Sequence, residues 1–490
     1  MPHIRSFIFL IFIGLFFITT SVVVFYVFGY RFNFDRGIFI YTGSISIKST
    51  PETVAIRVDN ELIPERRLSI LNNSIHIDGL TPGEHFVEVS AEGYVPWSKK
   101  ATVQSGIATE FWNVFLVKKN NTPNILPDTA SVERIFQAPA SEWLAVAKQR
   151  DDALFIDIIN ANDRTRDEHI FSLPNATLAQ NNEENIEWSP DSKKIIIPVT
   201  QADRQLYFIA ERETPQTLLF NDVVNTQTPY TLRWHPLTKN TIFYQHTTEL
   251  YRRDTQATDT TPLLIRKNVK TYDISGKNIY YLNAENGIIY KMPINTNITT
   301  EPTQITLTAI PVHPENTYAL VIYDDSRFSI REKETGKFWV YNKPPSLEPM
   351  LRTIAERGVR GSQFSNDGKK LLFFTNDEIS VYFTRTWDVQ PTRENDTVVQ
   401  IARFSSPIHN VQWTEDYEHV LFSLDNIIKM IELDNRDRRN IVDIATVPTP
   451  ITQILAYFAE NILYIITTPT NARDNLSSLR LSESSGFFGL

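Results

Sequence analysis

The sequence predicts an all-β protein: a small antiparallel β-sandwich and a seven- or eight-bladed β-propeller, preceded by one transmembrane α-helix. Three observations predict this fold. The N-terminus carries a long apolar run, short alternating strands follow, and a unit then recurs about every 40–50 residues, which is the period of four-stranded propeller blades. The unit is clearest from Asn185 to Val199, reading NIEWSPDSKKIIIPV, and returns from Gly361 to Thr375 and, more loosely, from Asn410 to Ser423.

Composition sets the first limits on function. The chain has 490 residues, a net charge of −9 and no cysteine. Without cysteine there is no disulfide, no thiolate metal site and no cysteine nucleophile. Acidic and basic residues are interspersed and form no basic face of the kind that nucleic acids bind, so we expect no nucleic-acid partner.

The N-terminal apolar run predicts the membrane anchor. No charged residue occurs from Ser6 to Tyr30. As a helix this run spans roughly 37 Å, enough for a hydrocarbon core of about 30 Å. A cleaved signal peptide is the alternative, but the run is longer than the usual apolar region of about 7–15 residues and no A-x-A-like site follows. We therefore predict a transmembrane helix at 6–30, behind a cytoplasmic tail at 1–5.

The orientation of this helix follows from the segments that flank it. His3 and Arg5 precede the helix, while Arg31 and Arg36 follow it with Asp35 between them, so the positive charges are nearly balanced. A short tail before a long folded region favours the N-terminus inside. We expect a single-pass protein of the cell membrane with its C-terminal domains outside the cytoplasm. A cytosolic propeller that serves as an assembly platform is a further possibility, which protease access on intact cells would distinguish.

The segment 43–118 predicts the small sandwich, because short alternating strands are separated by turns rich in Gly, Pro, Asp and Asn. It resembles the PEGA domain family in Thr50-Pro51, Leu80-Thr81-Pro82-Gly83 and Glu92-Gly93-Tyr94 with Trp97. It departs from the family at Pro51-Glu52, where Thr53-Val54 follow in place of Gly-Ala. The resemblance implies an extracytoplasmic β module without known chemistry. We expect Tyr94 and Trp97 to pack in the core; the alternative is an exposed patch for a partner or for glycan.

A polar, proline-bearing linker at 119–130 precedes the propeller at 131–490. Aligned units are expected to start near Phe136, Trp188, Trp234, Tyr272, Val312, Phe364, Trp413 and Tyr457. The last unit runs out of strong strands near Leu481. Because an incomplete last blade would leave an open sheet edge, we predict that a strand around Thr122 to Pro127 supplies the missing outer strand.

The best-preserved units resemble the TolB-type, WD-like propeller repeat. The matching segments are Trp188-Ser-Pro-Asp-Ser-Lys-Lys194 and Phe364-Ser-Asn-Asp-Gly-Lys-Lys370. The resemblance implies that Asp191 and Asp367 bond their own turns and that Trp188 and Trp413 pack between blades. We expect the lysines to belong to the turn as well.

No motif for catalysis or cofactor binding occurs, whether a nucleophile elbow, HExxH, a P-loop or GxGxxG. We therefore assign no catalytic, cofactor-binding or metal-binding residue and expect no cofactor. His235 and His313 precede prolines and are expected in turns. The carboxylate pairs are expected at solvated turn tips; they are Asp151-Asp152, Glu183-Glu184 and Asp324-Asp325.

An anchor joined to binding-type modules favours a non-enzymatic scaffold of a prokaryotic cell envelope. In this hypothesis the sandwich is a stalk, and the propeller is an interaction platform for an envelope protein, peptide or glycan. The alternative is an envelope hydrolase or lyase that acts on glycan or peptide at the channel mouth. That activity would require two carboxylates, or a histidine and a carboxylate, converging on one face.

Overall fold

The N-terminal helix, α1, is longer at its start and shorter at its end than predicted. The computed structural model describes residues 2–27, 29–33, 37–64, 74–139, 142–161, 167–179, 186–214, 216–224, 229–256, 261–345, 348–458, 461–469 and 473–481. Helix α1 covers Pro2–Val27. It ends before Gly29, whose φ of +86° is a left-handed conformation that continues no right-handed helix. The side chains of 7–27 are all exposed, and Phe7–Val27 is long and apolar enough to cross a membrane. Such a helix fits either a membrane anchor or a signal sequence.

A two-stranded hairpin joins the helix to the small domain. Strand β1 (Tyr30–Asn33) pairs antiparallel with β2 (Ile38–Tyr41). Tyr30, which was predicted to end the helix, instead begins this hairpin. The base of the hairpin is closed by Thr42, whose backbone N–H donates to the Gly29 carbonyl at 2.9 Å.

The small domain is a sandwich of two sheets around one apolar core. Its strands are β3 (Gly43–Thr50), β4 (Ala55–Val58), β5 (Glu61–Leu62), β6 (Ile75–Leu80), β7 (Gly83–Ser90), β8 (Trp97–Val103) and β9 (Ala108–Phe115). One sheet has the order β6-β3-β9 and the other β5-β4-β7-β8. The pairing is antiparallel except between β3 and β9, which run parallel. Alternate residues of each strand meet between the sheets, including Ile45, Val87 and Trp97.

The rest of the described chain forms eight propeller blades, at the upper end of the predicted range. In each blade the first strand lies innermost. From the inside outward, blade 1 contains β11 (Val132–Gln137), β12 (Trp143–Arg150), β13 (Ala153–Asn160) and β14 (Glu168–Pro174). Blade 2 contains β15 (Ala176–Leu178) with β16 (Glu187–Trp188), then β17 (Lys194–Gln201), β18 (Arg204–Glu211) and β19 (Thr217–Leu219). Blade 3 contains β20 (Tyr230–Trp234), β21 (Thr241–His246), β22 (Glu249–Asp254) and β23 (Leu263–Arg266), and blade 4 contains β24 (Val269–Ser275), β25 (Asn278–Asn283), β26 (Ile289–Pro293) and β27 (Thr303–Gln304). The short helix α2 (Phe220–Val223) follows blade 2.

Blades 5–8 repeat the same arrangement. Blade 5 contains β28 (Tyr318–Asp324), β29 (Arg327–Glu332), β30 (Phe338–Asn342) and β31 (Met350–Ala355). Blade 6 contains β32 (Gly361–Phe364), β33 (Lys370–Phe374), β34 (Glu378–Phe383) and β35 (Thr397–Arg403), and blade 7 contains β36 (His409–Trp413), β37 (His419–Leu424), β38 (Ile427–Glu432) and β39 (Ile441–Thr446). Blade 8 contains β40 (Ile451–Tyr457), β41 (Ile462–Thr467), β42 (Leu476–Arg480) and β10 (Asn124–Ile125).

The linker closes the ring, as predicted. Strand β10 pairs antiparallel with β42, and the Leu126 N–H donates to the Leu476 carbonyl at 2.9 Å. The last blade thus takes its outermost strand from the segment before the first blade. This pairing covers an edge that the chain would otherwise leave open.

Seven of the eight predicted unit starts lie on innermost strands, and Val312 is wrong. The innermost strand of blade 5 is β28, which begins six residues after Val312, at Tyr318. Val312 lies in the connection before β28 and packs against the core of that blade. Blade 5 lacks the signature of an aromatic residue followed by an aspartate-containing turn. Without that signature, the apolar residue Val312 in the connection was mistaken for part of the first strand.

The turn aspartates act as the resemblance implied. Asp191 Oδ1 accepts hydrogen bonds from Ser189 Oγ at 2.6 Å and from the Lys193 N–H at 3.2 Å, and Asp367 does the same in blade 6. The Trp188 and Trp413 indoles donate to carbonyls of the preceding blade. The second lysine of each signature differs from expectation: Lys194 and Lys370 are buried and bond the next blade.

Two faces of the propeller follow from the strand order. The AB face carries the turns between the first and second strands and between the third and fourth, such as Leu237 in blade 3 and 433–440 in blade 7. The BC face carries the turns between second and third strands and the connections between blades, such as Thr247–Thr248 and 305–317. Both names are used below in this sense.

Candidate functional site

A pocket opens at the channel mouth on the BC face of blades 2–5, with most of its lining from blades 3–5. Its volume is about 880 Å³. The innermost strands β20, β24 and β28 form its wall, and BC turns form its rim. Tyr230, Tyr272 and Tyr318 supply aromatic surface, while several threonines, among them Thr248 and Thr317, supply hydroxyl groups. A concave wall of this size with convergent polar groups is the usual form of a ligand site.

Two of the three tyrosines of this pocket, Tyr272 and Tyr318, are held by their own hydroxyl groups. Tyr272 Oη donates to the Thr231 carbonyl at 2.6 Å, and Tyr318 Oη donates to Glu332 Oε1 at 2.8 Å. Burial raises the pKa of Tyr318 to about 12, so this hydroxyl keeps its proton near neutral pH. Both rings are nearly buried and are therefore fixed parts of the pocket wall.

Basic groups outnumber acidic groups around the pocket. Arg233, Lys270 and Lys333 line it, and Glu315 is the single carboxylate among the described lining residues. Lys270 Nζ donates to the Pro314 carbonyl at 2.6 Å, and burial lowers the pKa of this lysine. A ligand with carboxylate or other anionic groups complements this lining better than a cationic one.

Two further carboxylates lie behind the wall, where they tie blades together. Glu187 Oε1 accepts from the Trp234 N–H at 2.9 Å and its Oε2 pairs with Arg233 at 3.1 Å. Asp273 accepts from the backbone N–H groups of Ile274 and Ile322. Burial raises the pKa of Glu187 and of Asp273 against the opposing attraction of Arg233.

The hydrogen bonds of these carboxylates decide their role. Each oxygen atom of Glu187 and Asp273 already accepts from a neighbouring backbone or guanidinium group, so both carboxylates join adjacent innermost strands. Polar residues do the same elsewhere in the ring: Gln363 accepts from the Trp413 N–H and Gln453 from the Ile135 N–H. Glu315 therefore has no second carboxylate among the described lining residues, while His246 is the histidine that lines the same pocket.

The structure scatters the other residues that the sequence singled out. His235 is buried on the AB face, where its Nδ1 accepts from the Leu237 N–H at 3.1 Å. His313 lies in the connection before blade 5, and Asp151-Asp152 forms the turn between β12 and β13. Asp324 pairs with Arg327, and Asp325 pairs with Lys291 at 2.7 Å. Glu183-Glu184 lies outside the described residues.

A second assembly of polar groups joins the small domain to blade 7. The side chain of Lys99 is fully buried, and its ammonium group donates to the carbonyls of Asp434, Arg436 and Arg438 at 2.9, 3.0 and 2.6 Å. It also pairs with Glu432 at 2.7 Å. The turn 433–440 thus encloses a charge that belongs to the other domain. We refer to this contact as the joint.

Trp97 contributes to both sides of the joint. Its ring lies in the core of the sandwich, as expected, 5.2 Å from that of Phe111, and its Nε1 donates to Glu432 Oε2 at 3.0 Å. Around the Trp97 contact, the Lys100 N–H donates to Asp437, and Gln390 of blade 6 bonds the backbone of β9. Tyr94 also packs against the core of the sandwich, as expected, so only the indole N–H of Trp97 extends from this core to the propeller.

An ionisable cluster lies beside the joint. His419 Nδ1 is 2.7 Å from Asp416 Oδ2, and the imidazole contacts the ring of Phe115 from the small domain. Burial alone would lower the pKa of His419, but the nearby carboxylates of Asp416, Glu432 and Glu418 outweigh it and raise that pKa. Burial likewise opposes ionisation of Asp416, yet His419 and hydrogen bonds hold the pKa of Asp416 well below its usual range.

The joint and the pocket occupy opposite faces of the propeller. The propeller groups in the joint come from the AB-face turn 433–440 of blade 7, from Glu432 at the AB end of β38, and from the AB-face turn of blade 6 that holds Gln390. The pocket is lined from the BC face. The small domain therefore lies on the AB face of blades 6 and 7, whereas the pocket at the channel mouth opens on the BC face.

The sequence held signals for both regions that were missed. Lys99 shares the inward register of β8 with Trp97 and Ala101, and a charge at such a position requires buried partners. Glu187 and Arg233 directly precede the aromatic residue of their units, as do Gln363 and Gln412, so a polar residue at that position marks the innermost strand.

The chain therefore belongs to the class of multidomain β-propeller proteins. It combines an apolar N-terminal helix, a two-sheet sandwich and an eight-bladed propeller with a pocket at the channel mouth. Residues 42–119 match the PEGA domain family. A comparison with curated proteins gives no match.

Solved structures similar to this chain are β-propellers. They include the Cps50 (Swd1) propeller domain of Myceliophthora thermophila, at 11% identity and a TM-score of 0.41 over 74% of this chain and 100% of that one. Sqt1 of Saccharomyces cerevisiae is 10% identical, with a TM-score of 0.44 over 75% and 100%. The Dos1 propeller is 11% identical, with a TM-score of 0.49 over 75% and 96%. They bear on the fold alone.

Proposed function

We propose that this chain is a single-pass membrane protein of a prokaryotic cell envelope that binds a protein partner at the channel mouth. The N-terminus lies in the cytoplasm, α1 crosses the membrane within 6–30, and the PEGA domain and propeller lie outside. The propeller is the binding platform, and the PEGA domain holds it in a fixed orientation relative to the membrane. The sequence suggested that the small domain is a stalk. In this proposal it is a rigid adaptor, because the joint fixes it to the propeller.

The observation that carries this proposal is the pocket on the face opposite to the joint. A partner can reach the BC face without displacing the small domain. Fixed tyrosine rings, hydroxyl groups and the basic residues Lys270 and Lys333 suit a polypeptide segment with a carboxylate. Preorganised side chains also reduce the ordering that binding must offset.

The absence of cysteine from the sequence makes the location directly testable. In a Thr248→Cys variant, a membrane-impermeant maleimide should label the protein on intact cells, because Thr248 is an exposed BC-face residue. The cysteine-free parent is the control and should take no label. Labelling that requires lysis would place the propeller in the cytoplasm and refute the proposed orientation.

The partner site is tested by comparing the two faces of one blade. Thr248→Cys on the BC face and Leu237→Cys on the AB face are both exposed and both in blade 3. Each is coupled to a benzophenone maleimide and irradiated in native membranes. A discrete protein adduct from Thr248→Cys alone, lost when Lys270→Glu is added, supports the site. Equal adducts from both faces, or adducts that Lys270→Glu leaves unchanged, refute it.

A further inference from the structure

The hairpin between α1 and the PEGA domain presents one continuous aromatic face. Tyr30 is paired across the strands with Tyr41, and Phe32 with Phe39. Since alternate residues of a strand share a face, these two pairs lie on the same side. The ring centroids are 4.9 Å apart in the tyrosine pair and 5.2 Å apart in the phenylalanine pair. Four rings thus form a ladder on a hairpin of eight strand residues.

The rings of this aromatic face are largely exposed, whereas a hairpin in water normally packs its apolar side chains against the rest of the protein. Phe39 is 53% exposed, Phe32 42% and Tyr41 40%. An isolated two-stranded hairpin is marginally stable in water and needs an apolar surface against which to pack. Within the described chain, the exposed side of the ladder meets no part of the sandwich core.

The ladder is continuous with the helix that is proposed to cross the membrane. Phe25 of α1 lies 5.9 Å from Phe39 and 5.4 Å from Tyr30, centroid to centroid. Tyr30 follows Val27 by three residues, a reach of at most about 11 Å. The headgroup region of a bilayer is of similar depth, about 5–8 Å on each side of the hydrocarbon core.

The hairpin is also fixed to the PEGA domain, so its depth determines the height of that domain. Thr42 closes its base on Gly29, and the Gly106 N–H donates to the Thr42 carbonyl at 3.0 Å. The Tyr41 ring lies against Gly106, where a Cβ atom would clash with it. Arg31 donates to the Tyr26 carbonyl at 2.8 Å and lies over the Tyr26 ring. A positive charge is therefore held beside the aromatic rings, at the end of α1 where the hairpin begins.

We propose that the aromatic face of this hairpin, Tyr30, Phe32, Phe39 and Tyr41, lies in the lipid headgroup region and sets the height and tilt of the extracytoplasmic domains. This inference rests on the proposed membrane-spanning role of α1. Aromatic rings favour the interface because their bodies are apolar and their edges and hydroxyl groups interact with water and headgroups. The partner of this surface is therefore lipid.

Single cysteines placed in the cysteine-free chain test the depth of the hairpin. The full-length protein is reconstituted in phosphatidylcholine vesicles and labelled with the environment-sensitive fluorophore NBD at one position. Phe39→Cys and Phe32→Cys report on the ladder, and Phe16→Cys reports on the middle of α1. Thr53→Cys is the matched control, because it is exposed and follows β3 at the end of the PEGA domain away from the hairpin.

Lipids that carry a nitroxide near the headgroup or near the end of the acyl chain measure the depth. We expect blue-shifted emission at Phe39 and Phe32, with stronger quenching by the headgroup nitroxide than by the acyl-chain nitroxide. Phe16 should show the reverse order, and Thr53 no quenching. Water-like emission at both ladder positions with a quenched Phe16 would overturn this inference and leave the membrane anchor intact. An unquenched Phe16 would overturn both.

Discussion

The joint and the channel-mouth pocket are both polar, but they differ in how completely their groups are satisfied. In the joint, Lys99 is fully buried and bonded to three carbonyls and to Glu432. At the mouth, Lys270 has one carbonyl partner and faces a large open pocket. A closed set of partners holds two domains together, whereas an open one is suited to a partner from outside. The joint should therefore control stability, and the mouth should control binding.

Removing the buried charge of the joint should have the largest effect. Lys99→Met leaves Glu432 buried without its cation and removes a donor from three carbonyls. Loss of one member of a buried ion pair typically costs about 3–5 kcal/mol of the free energy of unfolding. Urea unfolding of the full chain in detergent measures it. Lys100→Met is the control, since Lys100 is exposed and enters the joint through its backbone N–H; equal losses in the two variants would contradict a role for the Lys99 charge.

A smaller effect is expected from the indole of the joint. Trp97→Phe keeps a ring in the sandwich core but removes the N–H that donates to Glu432 at 3.0 Å. A hydrogen bond to a charged group is worth about 1.5–3 kcal/mol, so the free energy of unfolding should fall by about that much. Trp112→Phe makes the same chemical change to a bond within the small domain, to Glu110, in a half-exposed setting. If Trp112→Phe proved the more damaging, the joint would not be the stabilising contact.

The pH dependence of the joint has a defined sign. Since the pKa of His419 is raised on folding, its contribution is full below the unfolded value of about 6.5 and is lost as pH rises through the folded value. Asp416, whose pKa is lowered, contributes above about 3.9 and loses that contribution as pH falls through its folded value. The pair therefore stabilises most between about pH 4 and pH 6.5. The difference in unfolding midpoint between the parent and His419→Gln should shrink as pH rises above this window; a constant difference would show that the imidazole acts without its charge.

Substitutions at the channel-mouth pocket should affect partner binding more than the free energy of unfolding, in contrast to substitutions at the joint. Lys270→Ala removes a partly buried side chain with one carbonyl partner, so the free energy of unfolding should change by about 1 kcal/mol or less. Loss of a charge-assisted contact to the partner should weaken binding by about tenfold, read as the yield of the Thr248 adduct. A variant that is destabilised as much as Lys99→Met would show that this region, too, is part of the structural core.

Much of the architecture was predictable because it depends on local pattern. The recurring unit at Asn185 to Val199 predicted the blades, and the weak last unit predicted closure by the linker, since an open sheet edge demands a partner. The prediction erred where local pattern was weak. In blade 5 the absence of the signature moved the start to Val312, and Gly29 ended α1 before Tyr30.

The two polar regions were not predictable in the same way. Trp97 and Glu432 are 335 residues apart in the chain, and the pocket draws on four separate blades. Sequence could show that Lys99 occupies an inward position, but not which carbonyls would surround it. It could show that Glu187 and Arg233 precede aromatics, but not that they would pair across neighbouring strands.

The sequence by itself therefore determined the apolar helix, the PEGA domain and a ring of blades, because periodicity, turn residues and apolar runs act over a few residues. The tertiary structure decided that the small domain covers the AB face of blade 7 and that the channel mouth lies on the other. The physical reason is that a buried charge and a concave pocket are both made by residues that only ring closure and domain docking bring together.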